Sequence, residues 1–102
     1  MMADFRIVPI GTGSSSLSHQ LAEVLAEVDT SGVNYKVNDM RTVLEGDWDT
    51  VMRLIKKCHD KMMESSERVT TIITIDDRKG RTVHIGDKVA SIENALGKSL
   101  RK

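Results

Sequence analysis

Apolar and polar positions vary along the chain in a pattern that predicts four short strands and three helices. β-branched or alternating segments, which are typical of strands, cover residues 5–10, 33–37, 41–45 and 68–75. Apolar residues recur at helical spacing in the remaining segments, from Leu17 to Val28, from Trp48 to Met62 and from Ile85 to Leu96. The predicted order of elements is therefore βαββαβ with an additional C-terminal helix.

This order is that of the ferredoxin-like arrangement, an α+β fold in which two crossover helices cover one face of a four-stranded antiparallel sheet. The other face would be bare in a monomer. The last predicted strand carries β-branched side chains on both faces, with Val69, Thr71, Ile73 and Ile75 on one and Thr70, Ile72 and Thr74 on the other. A strand with one face in water is normally more polar on that face. We therefore expect the open face to be covered, most simply by another subunit.

Capping and breaking residues mark the ends of these elements. Ser16 and Asp47 are favourable N-caps for the first and second helices, and Gly32 is placed to end the first one. Pro9 lacks a backbone N–H, so we expect it near the end of its strand or at a sheet edge. The second helix has the strongest apolar stripe in the chain, formed by Trp48, Val51, Met52, Ile55, Cys58, His59 and Met62.

Composition excludes several classes of function. The length of 102 residues favours one domain over residues 1–102, and 15 basic residues balanced by 15 acidic residues leave no formal net charge. A duplex nucleic-acid binder usually carries a basic field, and an RNA-binding sheet stacks bases on aromatic side chains, which here are only Phe5, Tyr35 and Trp48. No apolar stretch has the length of a membrane helix or of a signal-peptide core. Because a single cysteine, Cys58, favours a reducing compartment, we expect a cytoplasmic protein with no nucleic-acid or membrane partner.

Two segments could contact a ligand. Residues 11–16, Gly-Thr-Gly-Ser-Ser-Ser, lie between a predicted strand and a predicted helix, where backbone N–H groups can meet an anion or a polar ligand. The same residues are also compatible with a flexible turn and an N-cap, and they lack the ending of a phosphate-binding P-loop. Glu45 ends the third predicted strand, and it is either an exposed turn carboxylate or a hydrogen-bonding partner for a heterocycle.

The remaining chemically active side chains favour packing over catalysis. A structural metal site usually needs four ligands, and neither a second cysteine nor a neighbouring histidine accompanies Cys58 and His59. We expect these two residues to pack in the core or at its rim, and Met52, Met62 and Met63 to fill gaps in it. No spacing of serine, cysteine, histidine and aspartate indicates a nucleophile, so we predict no catalytic residue, no metal and no cofactor apart from a bound ligand.

Three segments resemble those of a known family. They are Val8-Pro9-Ile10-Gly11-Thr12-Gly13 with the serines after it, Glu45-Gly46-Asp47-Trp48-Asp49 leading to Cys58-His59, and Arg68-Val69 followed by the Thr/Ile strand and Asp76-Asp77-Arg78. Together they resemble the small thiamine-binding proteins of ferredoxin-like fold. The resemblance implies a non-enzymatic protein that binds thiamine or its hydroxymethylpyrimidine part. It also implies homodimers that pair into tetramers, with the ligand held near subunit contacts.

On this basis we predict a ligand site formed by the first loop and the third strand. An aminopyrimidine needs a fixed acceptor and one or two donors, and a thiazolium cation is favoured by a carboxylate or an aromatic face. We expect polar contacts from Thr12, Ser14, Ser16 and Glu45. Gly11 and Gly13 would let the backbone approach the ligand closely.

Other functions remain open. Small ferredoxin-like domains include acylphosphatases, but those cradle phosphate with an arginine in the first loop, and residues 11–16 contain none. A structural or interaction module and a sensor of a different small ligand are both compatible with the same oligomeric fold.

Overall fold

The computed structural model describes residues 1–11 and 17–102, and it has the predicted order of elements. The elements are β1 (Met2–Ile10), α1 (Leu17–Asp29), β2 (Asn34–Val37), β3 (Thr42–Glu45), α2 (Trp48–Met63), β4 (Arg68–Asp76) and α3 (Asp87–Leu96). The predicted N-cap Ser16 lies outside the described residues. The first strand is longer than its β-branched segment because Met2, Ala3 and Asp4 also pair with β3 and β4.

The four strands form one antiparallel sheet in the order β2-β3-β1-β4, which is the ferredoxin-like topology. β1 pairs with β4 along its whole length, from Met2 opposite Asp76 to Ile10 opposite Arg68. It pairs with β3 only as far as Phe5, which lies opposite Thr42. Among the described residues, the second half of β1 therefore has a neighbouring strand on one side only. We call this side of Arg6 to Ile10 the free edge of β1.

Two hydrogen bonds identify the backbone groups that point to the free edge. The amino group of Met1 donates to the carbonyl of Gly46 at 2.7 Å, and the N–H of Gly46 donates to the carbonyl of Met1 at 3.0 Å. In an antiparallel pair such residues alternate along the strand, so odd-numbered residues of β1 direct their backbone groups away from β4. The N–H and C=O of Ile7 consequently face the free edge, together with the C=O of Pro9. The prediction that Pro9 lies at an edge is confirmed. Its backbone nitrogen faces the free edge, where no described strand would accept a hydrogen bond from it.

The core lies between the sheet and the two crossover helices. It contains side chains from β1, β3, α1 and α2, namely Ala3, Phe5, Ile7, Val24, Val28, Leu44, Val51, Leu54, Ile55, Cys58 and Met62. The stripe predicted for α2 is wrong at one end: Trp48 is 52% exposed, whereas Leu54 is buried. α2 packs against α1 as well as against the sheet, so its buried side is rotated toward Leu54. Met63 is also exposed, because one residue beyond Met62 is a rotation of about 100° on a helix.

The helix ends agree in part with the capping prediction. The Asp47 side chain accepts a hydrogen bond from the Thr50 N–H at 2.9 Å, which confirms it as the N-cap of α2. α1 ends at Asp29 rather than at Gly32. The hydroxyls of Thr30 and Ser31 donate to the carbonyls of Ala26 and Val28 and close its last turn. Gly32 then turns the chain toward β2 with a φ of +82°.

Two apolar surfaces stay exposed in the part of the chain that the structure describes. On the sheet face opposite the crossover helices, Val8, Ile10 and Ile72 are exposed. α3 buries none of its residues, and Ile92 and Leu96 are exposed along one side of it. The radius of gyration is 15.4 Å, compared with about 13 Å for a compact chain of this length. The larger value agrees with an α3 that projects away from the sheet and the two crossover helices. Within residues 1–11 and 17–102, no helix is both long and apolar enough to cross a membrane.

Candidate functional site

A pocket of about 510 Å³ lies beside the free edge of β1. Its walls are the second half of β1, the first turns of α1 and the connection between β2 and β3. The lining residues are Phe5, Arg6, Ile7, Val8, Pro9, Leu21, Val24, Leu25, Val37, Asn38, Asp39, Met40, Arg41 and Thr42. The volume falls within the range of about 300–1,000 Å³ that is usual for small-molecule sites.

Unequal strand lengths create the pocket. β1 has nine residues and β3 has four, so β3 begins opposite the middle of β1. The hairpin between β2 and β3 closes with a hydrogen bond of 2.9 Å from the Asn38 N–H to the Arg41 carbonyl. The chain turns through Asp39 and Met40 at that point and leaves a gap beside Ile7. α1 passes across one side of this gap and contributes Leu21, Val24 and Leu25 to its apolar wall.

The backbone of Ile7 supplies paired hydrogen-bonding groups inside this apolar pocket. In an extended strand the N–H and C=O of one residue point to the same side, so Ile7 offers a donor and an acceptor close together. A planar heterocycle with a ring nitrogen beside an amino group has the complementary arrangement. Ligand sites of this kind combine apolar walls with a few fixed polar groups. The pocket can thus hold a flat, partly polar ring against the edge of the sheet.

Charged side chains lie at the rim of the pocket. Arg41 extends toward the open face, where its Nη1 lies 3.2 Å from Oδ2 of Asp4. Asp39 and Arg6 are exposed, one on the hairpin and one on β1. A ligand that occupies the pocket would therefore meet both signs of charge at its outer end, with the Asp39 carboxylate available to a cation.

Only one of the predicted site residues is described next to this pocket. Gly11 directly follows β1, two residues after Pro9, which lines the pocket, and it has a φ of +74°. This left-handed backbone conformation favours glycine, and a Cβ built there would meet no heavy atom within 4 Å. Thr12, Gly13, Ser14 and Ser16 lie outside the described residues.

Glu45 lies at the opposite end of the sheet. It pairs with Met2 at the start of β1, whereas Gly11 follows the end of this strand. Gly11 lies nine positions after Met2 in the chain, which corresponds to about 30 Å along an extended strand. Within one chain, Glu45 and Gly11 therefore cannot contact the same small ligand. The two predicted parts of the site could meet only if they came from different subunits.

The Glu45 carboxylate has its own partners within the chain. Its side chain is 13% exposed, and it accepts hydrogen bonds from Asn34 Nδ2 and from the backbone N–H of Ile85. Nδ1 of His84 lies 2.8 Å from Oε2. Burial alone would raise the pKa of this carboxyl, but the hydrogen bonds from His84, Asn34 and Ile85 outweigh it and lower the pKa. Glu45 thus holds the segment before α3 against β3.

Cys58 and His59 pack as predicted. Cys58 is fully buried, with its Sγ 3.8 Å from the Val24 carbonyl, and burial raises the pKa of the thiol to about 11. His59 is half-buried, and its Nδ1 lies 2.5 Å from Oγ1 of Thr71 on β4. Among residues 1–11 and 17–102, no three His, Cys, Asp or Glu side chains converge in a way that could hold a metal ion.

The sequence reasoning missed the residues that form the pocket. Ile7, Asn38 and Asp39 carry no recognisable motif, and a backbone donor–acceptor pair leaves no trace in side-chain identity. One signal was present, because a proline in the second half of the first strand indicated an edge there. β1 is longer than β3, and this difference in length together with the proline would have located the pocket.

Comparisons with known proteins agree with this architecture. The chain matches the family model of thiamine-binding proteins over residues 3–93. It is 33% identical over 96 residues to a UPF0045 protein of Methanothermobacter thermautotrophicus, and the match covers 92% of this chain and 97% of that protein. A crystal structure of a hypothetical protein from Methanocaldococcus jannaschii has a TM-score of 0.80 at 28% identity, covering 89% of this chain and 93% of that one.

A further structure, from Thermotoga maritima, belongs to a protein provisionally assigned to thiamine biosynthesis or salvage. It has a TM-score of 0.78 at 20% identity and covers 89% of this chain and 96% of that one, a likeness that shows the shared fold. The topology and the pocket together define a ferredoxin-like α+β protein with a small-molecule-sized cavity beside its first strand. With the family match across nearly the whole chain, the protein belongs to the thiamine-binding protein family.

Proposed function

We propose that this protein binds thiamine or its hydroxymethylpyrimidine part without chemical turnover, and that the pocket at the free edge of β1 is the binding site. The observation that carries this proposal is the backbone of Ile7, which offers an N–H and a C=O to an apolar pocket of about 510 Å³. Membership of the thiamine-binding family supports the choice of ligand.

The chemistry of the ligand fits this arrangement. The exocyclic amino group of the pyrimidine would donate to the Ile7 carbonyl, and the adjacent ring nitrogen would accept from the Ile7 N–H. The ring would lie against Leu21 and Leu25. The positively charged thiazolium would extend to the rim, where the Asp39 carboxylate favours a cation. Free hydroxymethylpyrimidine would use the inner contacts alone.

The predicted loop and carboxylate enter this proposal in different ways. Gly11 directly follows the strand that lines the pocket. We propose that Thr12, Ser14 and Ser16 make polar contacts with the ligand, and that Gly11 and Gly13 let the backbone approach it closely. Glu45 lies about 30 Å from Gly11 along β1, so it can serve the same ligand only from a second subunit.

A binding role agrees with the side chains that line the pocket. Among the described residues the lining is mostly apolar, and its polar side chains are Arg6, Asn38, Asp39, Arg41 and Thr42. Cys58 is buried in the core, away from the pocket lining. A lone buried thiol also suits the reducing cytoplasm, where we place the protein.

We further propose a homo-oligomer, a dimer that pairs into a tetramer. The exposed apolar residues of the open sheet face and of α3 support it, because the described residues of one chain leave both surfaces uncovered. We place the ligand site close to subunit contacts, because Val8 belongs both to the lining of the pocket and to the exposed apolar residues of the open sheet face.

Calorimetric titration with thiamine, hydroxymethylpyrimidine and thiamine pyrophosphate tests the proposal. Val37→Trp should abolish binding because the indole would fill the pocket, whereas Lys36→Trp on the other face of β2 should leave it unchanged. Asp39→Asn should weaken thiamine binding about threefold to tenfold and leave hydroxymethylpyrimidine unaffected. Asp77→Asn is the matched control.

Three results would refute the assignment. Absence of saturable binding by any of the three compounds would exclude the ligand and favour a structural module or a different ligand. Equal affinity in the parent and in Val37→Trp would exclude the pocket. Unchanged binding in both Glu45→Gln and Thr12→Val would remove these two side chains from the site.

A further inference from the structure

Two arginines lie together at the rim of the pocket. Arg6 and Arg41 both belong to its lining. β1 pairs with β3 as far as Phe5 opposite Thr42, and the same register places the next residues of the two strands, the two arginines, opposite each other. Since Phe5 and Thr42 are buried on the helix-covered face, their neighbours belong to the open face of the sheet. Both guanidinium groups are therefore found at the outer end of the pocket.

This pair of like charges is poorly neutralised by the chain itself. Like charges directly opposite each other in an antiparallel pair are destabilising. Within residues 1–11 and 17–102, Arg41 has one carboxylate partner, Asp4, whose Oδ2 lies 3.2 Å from its Nη1, and Arg6 takes part in no ion pair. A guanidinium carries several N–H donors in a planar fork, so a single contact leaves most of them available. An anion placed between the two side chains would remove the repulsion and accept these hydrogen bonds.

The other polar groups of the rim also favour an anionic group. Asn38, which closes the hairpin through the Arg41 carbonyl, belongs to the lining and brings an amide that can donate. Asp39 is the carboxylate among the described lining residues, so two arginines against one aspartate leave an excess of positive charge. The chain as a whole has no net charge. Positive charge is thus concentrated at this rim.

We propose that the rim binds the phosphate group of a phosphorylated ligand between Arg6 and Arg41, so that the preferred ligand is a phosphate monoester of hydroxymethylpyrimidine or of thiamine. Guanidinium groups match the oxygens of a phosphate in both geometry and charge, and their hydrogen bonds to an ionised group are among the strong ones. The ring would stay against the Ile7 backbone, and the ester would extend to the rim. In the thiamine ester, the thiazolium would lie near Asp39.

The ring part of this ligand rests on the proposed function, whereas the phosphate part has its own residues. Backbone groups and apolar side chains recognise the ring, and two charged side chains of the open face recognise the phosphate. A substitution of Arg6 leaves the backbone donor and acceptor of Ile7 in place. The two parts of the site can therefore be tested separately.

Calorimetric titration with matched pairs of compounds measures the contribution of the phosphate. The pairs are hydroxymethylpyrimidine with its phosphate ester, and thiamine with thiamine monophosphate. We call the ratio of the two dissociation constants in a pair the phosphate preference. At least one pair should show a preference of about tenfold or more for the ester. The pair with the larger preference identifies which of the two esters the site selects.

Three variants assign the preference to particular side chains. Arg6→Gln should reduce it to near one. Asp4→Asn should raise it about twofold to threefold, because the full guanidinium of Arg41 becomes available and a negative charge is removed. Lys36→Gln is the matched control, since it removes a positive charge from the same sheet face outside the lining, and it should keep the parent value. A residue that only supports the fold would not produce a gain in one variant and a loss in another.

Phenyl phosphate separates this inference from the choice of ring. It carries the same monoester on a flat ring that lacks the donor and acceptor of the pyrimidine. Its binding to the parent should be weaker than that of the preferred ester and should fall in Arg6→Gln by a similar factor. Raising the salt concentration from about 50 to about 500 mM should weaken both esters in the parent.

Several outcomes would overturn the phosphate site. Equal affinities within both pairs would do so, and saturable binding of hydroxymethylpyrimidine or thiamine would then leave the proposed function intact. A preference that persists in Arg6→Gln, or that falls equally in Lys36→Gln, would place the phosphate elsewhere or reduce its effect to the general field of the face. Conversely, Arg6-dependent binding of phenyl phosphate by a protein that binds neither hydroxymethylpyrimidine nor thiamine nor their esters would support the phosphate site and refute the ligand assignment alone.

Discussion

His84 Nδ1 lies 2.8 Å from Oε2 of Glu45, and this contact ties the segment before α3 to the end of β3. The Ile85 N–H and the Asn34 side chain donate to the same carboxylate. α3 buries none of its own residues, so these polar contacts, rather than apolar packing, fix where the helix begins. The C-terminal helix is therefore attached to the body of the chain through an ionisable group.

This attachment predicts a dependence of stability on pH. The pKa of Glu45 is lowered in the folded chain, so its carboxylate stabilises the fold above its ordinary value of 4.5, and this contribution is lost as the pH falls through the lowered pKa. Chemical denaturation at pH 7, 5 and 3.5 should show a smaller loss of stability on acidification in Glu45→Gln than in the parent. Glu67→Gln, in the exposed turn before β4, is the control and should follow the parent. Identical pH profiles for the parent and Glu45→Gln would contradict the prediction.

Cys58 should be unreactive in the folded protein. The side chain is fully buried, and burial, followed by the nearby negative charge of Glu27, raises the pKa of the thiol to about 11. Since the thiolate is the reacting species, labelling with a thiol reagent at pH 7.5 should be at least about a hundredfold slower in the native than in the denatured protein. Mass spectrometry of the labelled protein measures both rates. Stoichiometric labelling of the native protein within minutes would show that the core opens around α2.

Neighbouring methionines on α2 should differ sharply in their contribution to stability. Met62 is 1% exposed and Met63 is 42% exposed, although the two are adjacent in the chain. Met62→Ala should lower the free energy of unfolding by about 2–5 kcal/mol, because it leaves a cavity between the helix and the sheet. Met63→Ala should cost well under half as much. Urea denaturation measures both, and equal losses would mean that Met63 packs against a second subunit.

The Asp47 cap should be needed for full stability of α2. Its carboxylate accepts the Thr50 N–H at 2.9 Å, and the pKa of Asp47 is lowered by the Thr50 hydroxyl and, after it, by this hydrogen bond. Asp47→Ala should lower the melting temperature by about 5 °C, and Asp47→Asn by clearly less, since asparagine is also a good N-cap. Asp49→Ala, two residues further in the first turn of α2, keeps the cap and is the control. Equal melting temperatures in the parent and in Asp47→Ala would show that the cap contributes nothing measurable.

Much of the fold could be predicted because the relevant signals are local. The β-branched run in residues 68–75 is typical of a strand, and the apolar stripe of α2 is typical of a helix that packs on a core. Asp47 signals the start of that helix by its own side-chain chemistry. The errors concern orientation. Trp48 and Leu54 both fit an apolar stripe, and only the packing of α2 against α1 determined which one is buried.

The candidate site was less accessible to prediction, since it depends on register. Glu45 and Gly11 both flank a strand in the sequence, yet the antiparallel pairing places them at opposite ends of β1. The pocket arises where β3 stops pairing with β1 at Phe5, and the donor and acceptor of Ile7 belong to the backbone. Neither the point where the strand pairing ends nor a backbone donor and acceptor is visible in the identity of the side chains.

The sequence alone was sufficient for the order of elements, the ferredoxin-like class, the edge position of Pro9 and the family, because each depends on residue type and spacing along the chain. Tertiary structure decided how far β3 extends along β1, which groups face the pocket, which partners Glu45 has, and which edge of the sheet stays uncovered. These properties arise from pairing between residues distant in sequence, where a shift of one residue turns a side chain to the other face.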